Sequence, residues 1–209
     1  MEYRFTIIEP RYQYSQFLNA PTLLIGKEEA EMYPYFTQKH KVFISYYHHD
    51  DQAYKDCIDI YLSGNIINKS VMPGEYDPDN SDEYIKRLIR EDKISDSSVV
   101  VVLVGANTKN RKHVDWEIYA GLRSSINGSS GLIGIVLPTV TKNINGKYNS
   151  DDMPARLADN VLSGYAYLYD WDYASSHFDF IIEQAFNTRI ERRRLIRNSR
   201  PQMQRNLGV

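Results

Sequence analysis

Residues 41–46 read Lys-Val-Phe-Ile-Ser-Tyr and residues 98–105 read Ser-Val-Val-Val-Val-Leu-Val-Gly. Both are short, β-branched and apolar without alternation, as a strand buried on its two faces must be, and such strands belong to parallel sheets covered by helices. Three further runs, Ile66–Val71, Leu132–Leu137 and Tyr165–Tyr169, are the other candidate strands, and Leu132–Leu137 shares the continuous apolar character. Helical patterns separate them. Residues 51–62 place Tyr54, Ile58 and Tyr61/Leu62 on one face before Ser63-Gly64, and Asn80 with Glu83 forms a capping box ahead of Ile85, Leu88 and Ile89. A third helix aligns Val114, Ile118, Gly121 and Leu122, residues 153–162 hold Pro154 in a first turn, and Phe178, Ile181, Ile182, Ala185 and Phe186 recur at helical spacing. Strand and helix alternate five times, which predicts an α/β, three-layer fold with about five parallel strands and helices on both faces.

Four stretches fall outside this repeat. Residues 1–40, with Pro10, Pro21 and Pro34, are expected to form an extension packed on a body spanning 41–190. Residues 72–81 (MPGEYDPDNS) and 139–152 are polar loops leaving the second and fourth strands. Residues 191–209 form a basic tail. Seven arginines against Glu191 in residues 189–205 give +6, so a net charge of −2 leaves −8 on the remainder. Without an RNP, zinc or helix-turn-helix pattern beside it, this tail is expected to be a solvated helix end and a disordered terminus, and nucleic acid is not an expected partner.

A chain of 209 residues with 42% hydrophobic content can fill one sizeable core. Its longest apolar run, Val99–Val104, is far short of the roughly 20 residues of a membrane span, and no signal-peptide order opens the chain. A single cysteine, Cys57, permits neither an internal disulfide nor a CxxC site. A cytoplasmic protein without membrane partners is expected.

Ligands of open parallel sheets bind beyond the carboxyl ends of the strands, so Ser45, Tyr46 and the residues after them, Tyr47 and His48, line any such site. Strand-end capping and packing explain Ser45 and Tyr46 equally well. The cluster His48-His49-Asp50-Asp51 lacks the spacing of a zincin or EF-hand and reads as a solvated helix start, so no metal is expected. A phosphorylatable receiver needs an acceptor aspartate ending the third strand, where this chain has Leu103-Val104-Gly105. No GxGxxG or Walker loop is present. On the third helix, Glu117 lies three residues after Val114 and beside Ile118, close to the core, and His113 precedes it by one turn. Asp115, two residues away, is expected to face elsewhere and to complement the first-turn dipole.

The segments KVFISY, the Pro73-Gly74 loop, SVVVVLVG and Thr108–Leu122 (TKNRKHVDWEIYAGL) together resemble the TIR-like family that includes ThsB of bacterial Thoeris anti-phage systems. The resemblance covers roughly residues 41–190 and implies a flavodoxin-like fold. It also implies cleavage of nicotinamide from NAD, as substrate and not as cofactor, to release an ADP-ribose-derived signal that activates a partner effector. Many TIR enzymes carry Ser-x-Trp-Cys-x-x-Glu on the corresponding helix. With the glutamates aligned, this chain has Arg111, His113 and Val114 in the first three places, keeps Glu117, and shifts the tryptophan to Trp116.

By this resemblance Glu117 is the catalytic carboxylate, with Ser45, Tyr46, Tyr47, His48, Pro73, Gly74, His113 and Trp116 as substrate-binding candidates. Self-association for activity and a phage-derived activator are the further expected partners. Against the enzyme stands a second reading from another class, a TIR-like scaffold or sensor that acts by assembly alone.

Overall fold

A computed structural model describes residues 4–5, 39–70, 92–123 and 128–208 of the protein. The short strand β1 (Arg4–Phe5) pairs antiparallel with β6 (Tyr148–Asn149). The main sheet comprises β2 (His40–Ser45), β3 (Ile66–Asn68), β4 (Val99–Val104), β5 (Gly131–Val136) and β7 (Tyr167–Asp170). All neighbours are parallel, in the order β3-β2-β4-β5-β7, so the chain winds outward in both directions from β2 and β4. This is the flavodoxin-like order, and its reversal point lies between β2 and β4.

Each strand divides its side chains between two cores. Phe43, Val100, Val102 and Val104 face α2 (Lys112–Leu122) and α3 (Ala155–Leu162), meeting Val114, Ile118, Leu122 and Leu157. Val42, Ile44, Val101 and Leu103 face the opposite layer, where Ile58, Phe178, Ile181 and Ile182 cover them. That layer holds α1 (His48–Cys57), its π-helical continuation Ile58–Leu62, α4 (Trp171–Ser176) and α5 (Phe178–Thr188). All six residues of β4 are buried, which explains its uninterrupted apolar sequence.

Three local expectations change. Helix α1 buries Asp51, Lys55 and then Ile58, and the wider π turn leaves Tyr61 76% exposed instead of facing the core. Lys55 is tolerated inside because it donates to Asp59 at 2.5 and 2.7 Å. The short helix α4 between β7 and α5 has no separate signal in the sequence.

The largest correction concerns the tail. Residues 197–208 are not a solvated terminus but a strap laid across α2 and α3. Arg156, fully buried, donates to Asp115, to Oδ1 and the carbonyl of Asn198, and to the carbonyls of Arg200 and Pro201. Asn160, also fully buried, brackets Arg197 by donating to its carbonyl and accepting its N–H, each at 2.8–2.9 Å. Arg200 closes on Asp159 through two bonds of 2.8 and 2.9 Å. The arginine content misleads because the docking is made largely by main-chain groups, which leave no side-chain pattern. The capping box at Asn80 and Glu83 lies outside the described residues.

Candidate active site

Ser45 is the last residue of β2 and shares the sheet face of Phe43, beneath α2. Glu117 reaches it from the middle of α2, and Ser45 Oγ donates to Glu117 Oε2 at 2.6 Å. The two side chains are buried, Ser45 at 1% and Glu117 at 6% exposure. A carboxylate withdrawn from water needs strong hydrogen bonds, and a hydroxyl at this distance supplies a charge-assisted one. It also fixes the direction in which the carboxylate faces. The pair stands at the carboxyl end of β2, at the reversal point of the sheet.

Around this pair, Tyr46 donates its hydroxyl to Gln52 Oε1 at 2.8 Å, and burial together with nearby carboxylates, Glu117 among them, raises its pKa. It therefore serves as a neutral donor. His113, one turn before Glu117, brings Nε2 to 3.4 Å from the Tyr46 carbonyl, the outer limit of a hydrogen bond. The guanidinium of Arg111 stacks 3.8 Å above the Tyr47 ring. His48 is exposed at the first position of α1, edge-on to Tyr47 at 5.9 Å. Pro73 and Gly74 lie outside the described residues.

Trp116 points elsewhere: its indole N–H donates to the Met203 carbonyl at 2.8 Å, on the strap side of α2. The substitutions in the Ser-x-Trp-Cys-x-x-Glu positions thereby gain a physical account. Val114 is fully buried core, Arg111 covers Tyr47, His113 approaches Tyr46, and the indole serves the strap.

Asp115 does face away from Ser45, yet it is no dipole-complementing surface residue. It forms a buried pair with Arg156, with Nε 2.9 Å from Oδ1, and accepts the Met203 N–H at 2.9 Å.

Asp51, expected within a solvated helix start, is instead buried. This carboxylate is 1% exposed, accepts from Thr108 Oγ1 at 2.9 Å, and lies directly on Gly105, whose missing Cβ would stand 2.2 Å from Asp51 Oδ1. The Gly105 N–H in turn donates to Thr108 Oγ1 at 3.0 Å. The linkage fastens the start of α1 to the turn between β4 and α2, and so sets the two walls of the candidate site relative to each other. Burial raises the Asp51 pKa above the ordinary carboxylate value. Its signal in the sequence is the spacing 51, 55, 58, in phase with the buried Ile58.

Residues 43–142 match the family model described as Thoeris protein ThsB, TIR-like domain. This stretch is similar to the ThsB TIR-like domain. The matched span runs from β2 through α2 and β5 into the following loop, so it contains Ser45, His113 and Glu117, whereas α3, α5 and the strap lie beyond it. A comparison with the curated proteins found no match.

A cavity of about 750 Å³ opens between the strap and α3, bordered by Arg111, Pro154, Ala158, Met203 and Leu207, but Ser45 and Glu117 are not part of it. Among the described residues no group of three or more His, Cys, Asp or Glu could hold a metal ion, and no helix is long and apolar enough to cross a membrane.

Proposed function

We propose that this TIR-like domain cleaves NAD in Thoeris-type defence, releasing nicotinamide and an ADP-ribose-derived signal, with Glu117 as the catalytic carboxylate. The observation that carries the reading is the buried Glu117 carboxylate, oriented by Ser45 at 2.6 Å at the reversal point of the sheet. Breaking the bond between ribose C1′ and the pyridinium nitrogen sends the bonding pair to that nitrogen, which leaves as neutral nicotinamide. No general acid is required, unlike a glycosidase whose leaving oxygen must be protonated. What remains on the sugar is an electron-poor C1′, and a fixed carboxylate beside the ribose stabilises that developing positive charge. Water, or a nucleophile of the adenine ring, then closes the reaction at C1′, giving ADP-ribose or its cyclic isomer.

Ser45 holds the carboxylate in place during this step, and the Tyr46–His48 segment with His113 forms the neighbouring wall. Pro73, Gly74 and the rest of the 72–81 loop complete the proposal as an entrance that also contacts a second copy. Ile60 and Tyr61, 70% and 76% exposed on the π turn, favour such self-association. The effector and a phage-derived activator act downstream and upstream of the nucleotide signal.

The test is release of free nicotinamide from NAD by purified protein, with and without an infected-cell extract. Glu117→Gln keeps size and hydrogen bonding but removes the charge, and is expected to lower turnover on the order of 10²–10³-fold, as loss of a preorganised transition-state contact does. Wild-type turnover in a folded Glu117→Gln variant would falsify the assignment of Glu117, whereas a wild-type protein that releases no nicotinamide with or without the extract would leave the scaffold reading in its place.

A further inference from the structure

We propose that the carboxyl-terminal strap is a positioning element of the candidate site, and that Asn206 acts by capping the helix that carries Glu117. The activity part of this inference rests on the proposed NAD cleavage; the structural part does not.

Helix α2 begins without a cap of its own. The flanking residue, Arg111, makes no side-chain cap bond, and a guanidinium has no acceptor to offer. First-turn amides need acceptors, and a missing one destabilises the turn. Here the acceptor comes from 94 residues further along the chain: Asn206 Oδ1 receives the Lys112 N–H at 3.0 Å. The next residue of the strap, Leu207, donates its N–H to the Asn110 carbonyl at 2.9 Å. Two adjacent strap residues thus clasp the turn that leads into α2.

The rest of the strap holds the outer face of the same helix. The Met203 N–H reaches Asp115, Trp116 reaches the Met203 carbonyl, and Asn198 Nδ2 reaches the Tyr119 carbonyl at 3.1 Å. Glu117 projects from the opposite side, toward Ser45. The helix is therefore gripped on its outer face along the segment from which Glu117 extends inward. A reacting carboxylate tolerates little misplacement: an error of about 1 Å can cost on the order of 10²-fold in rate.

The grip is uneven. Residues 197–201 are anchored by the fully buried Arg156 and Asn160, while Gln204–Gly208 are exposed, Leu207 by 51%. The capping part of the strap is its most weakly held part. Its loss should loosen the start of α2 without unfolding the domain.

Asn206→Ala and Asn206→Asp in the full chain test this. Asp keeps an acceptor and suits a helix amino terminus. In Asn206→Ala, amide exchange at Lys112 should quicken about fivefold, the consequence of losing a typical cap. Nicotinamide release should show a kcat lowered about tenfold with KM little changed, and Asn206→Asp should restore both. The carboxyl chemical shift of Glu117, read by NMR, should move in the Ala variant and return in the Asp variant, which reports on the Ser45 bond without any turnover. Unchanged exchange at Lys112 overturns the cap, and faster exchange with an unmoved Glu117 shift overturns the positioning role. A wild-type protein that releases no nicotinamide sinks the enzymatic reading alone, because exchange and chemical shift still decide this one.

Discussion

Asp115→Ala should cost this domain far more than an ordinary helix-surface change. Arg156 and Asp115 have side-chain exposures of 0% and 6%, and their pairing is bidentate, Nε to Oδ1 at 2.9 Å and Nη2 to Oδ2 at 3.3 Å. Removing the carboxylate leaves a guanidinium inside the protein without its counter-charge, a loss of about 3–5 kcal/mol. The Met203 N–H loses its acceptor in the same step. For a chain of this size each kcal/mol moves the melting temperature by about 2–4 °C, so a fall of roughly 6–20 °C is expected in a thermal melt. Carbonyls of Asn198, Arg200 and Pro201 still receive the guanidinium, which favours the lower half of that range. Replacing both partners, Asp115→Leu with Arg156→Leu, should recover part of the loss, because a buried ion pair is often matched by apolar side chains of similar volume. A fall corresponding to less than about 1 kcal/mol, the worth of an exposed pair, would refute the reasoning. Asp115 is accordingly unsuited as a silent control for Glu117: its variants lose activity through stability, and a melt beside each assay separates the two effects.

Asp51→Asn should flatten the pH dependence of stability. Because burial raises the folded-state pKa of Asp51, its contribution is fully present below the unfolded pKa of about 4 and is lost as pH rises through the folded value. The Asn variant should therefore gain on wild type between acid and neutral pH in urea titrations, and an unchanged difference across that range counts against a raised pKa. Gly105→Ala should destabilise by about 1–3 kcal/mol, since the new Cβ would stand 2.2 Å from Asp51 Oδ1 and push the carboxylate off Thr108; Asp51→Gly in the same chain should relieve the clash in a melt. If the 72–81 loop and the exposed Ile60–Tyr61 turn support assembly, nicotinamide release per molecule should rise with protein concentration, and Tyr61→Glu should abolish the rise; strict proportionality to concentration speaks against assembly.

The sheet was legible because burial on both faces forces a distinctive composition: Val99–Val104 and Val42–Ser45 could hardly be anything else. Their order also carries Glu117, on the helix after Val99–Val104, to the edge where Ser45 ends its strand. The strap was not legible. Its partners Arg156 and Asn160 sit at polar positions of a short amphipathic helix, where solvent is the ordinary expectation, and what covers them is mostly backbone. The same reason hid Asp115, whose ion-pair partner lies 41 residues away. Trp116 was drawn toward the substrate by the residue type expected on that helix, whereas its position in the turn sends it to the strap. Four polar residues in a row conceal Asp51, the one that is in phase with Ile58.

Helix α2 meets the sheet with no clearance at one point. A Cβ on Gly121 would lie 2.6 Å from Val100 Cγ2, so one turn beyond Glu117 the helix backbone rests directly on a β4 side chain. With the strap bonded to Asp115 and Trp116 on its outer face and Val100 against its inner one, the helix is a fixed jaw, and the depth of Glu117 above the sheet is set by this close packing on both faces. Under the proposed NAD cleavage, the ribose must therefore find its room on the other jaw, where Tyr46, Tyr47 and His48 are partly or fully exposed. On that proposal selectivity among nucleotides falls to that wall, and residues at 46–48 are the ones to vary when a different dinucleotide is to be admitted without moving the carboxylate.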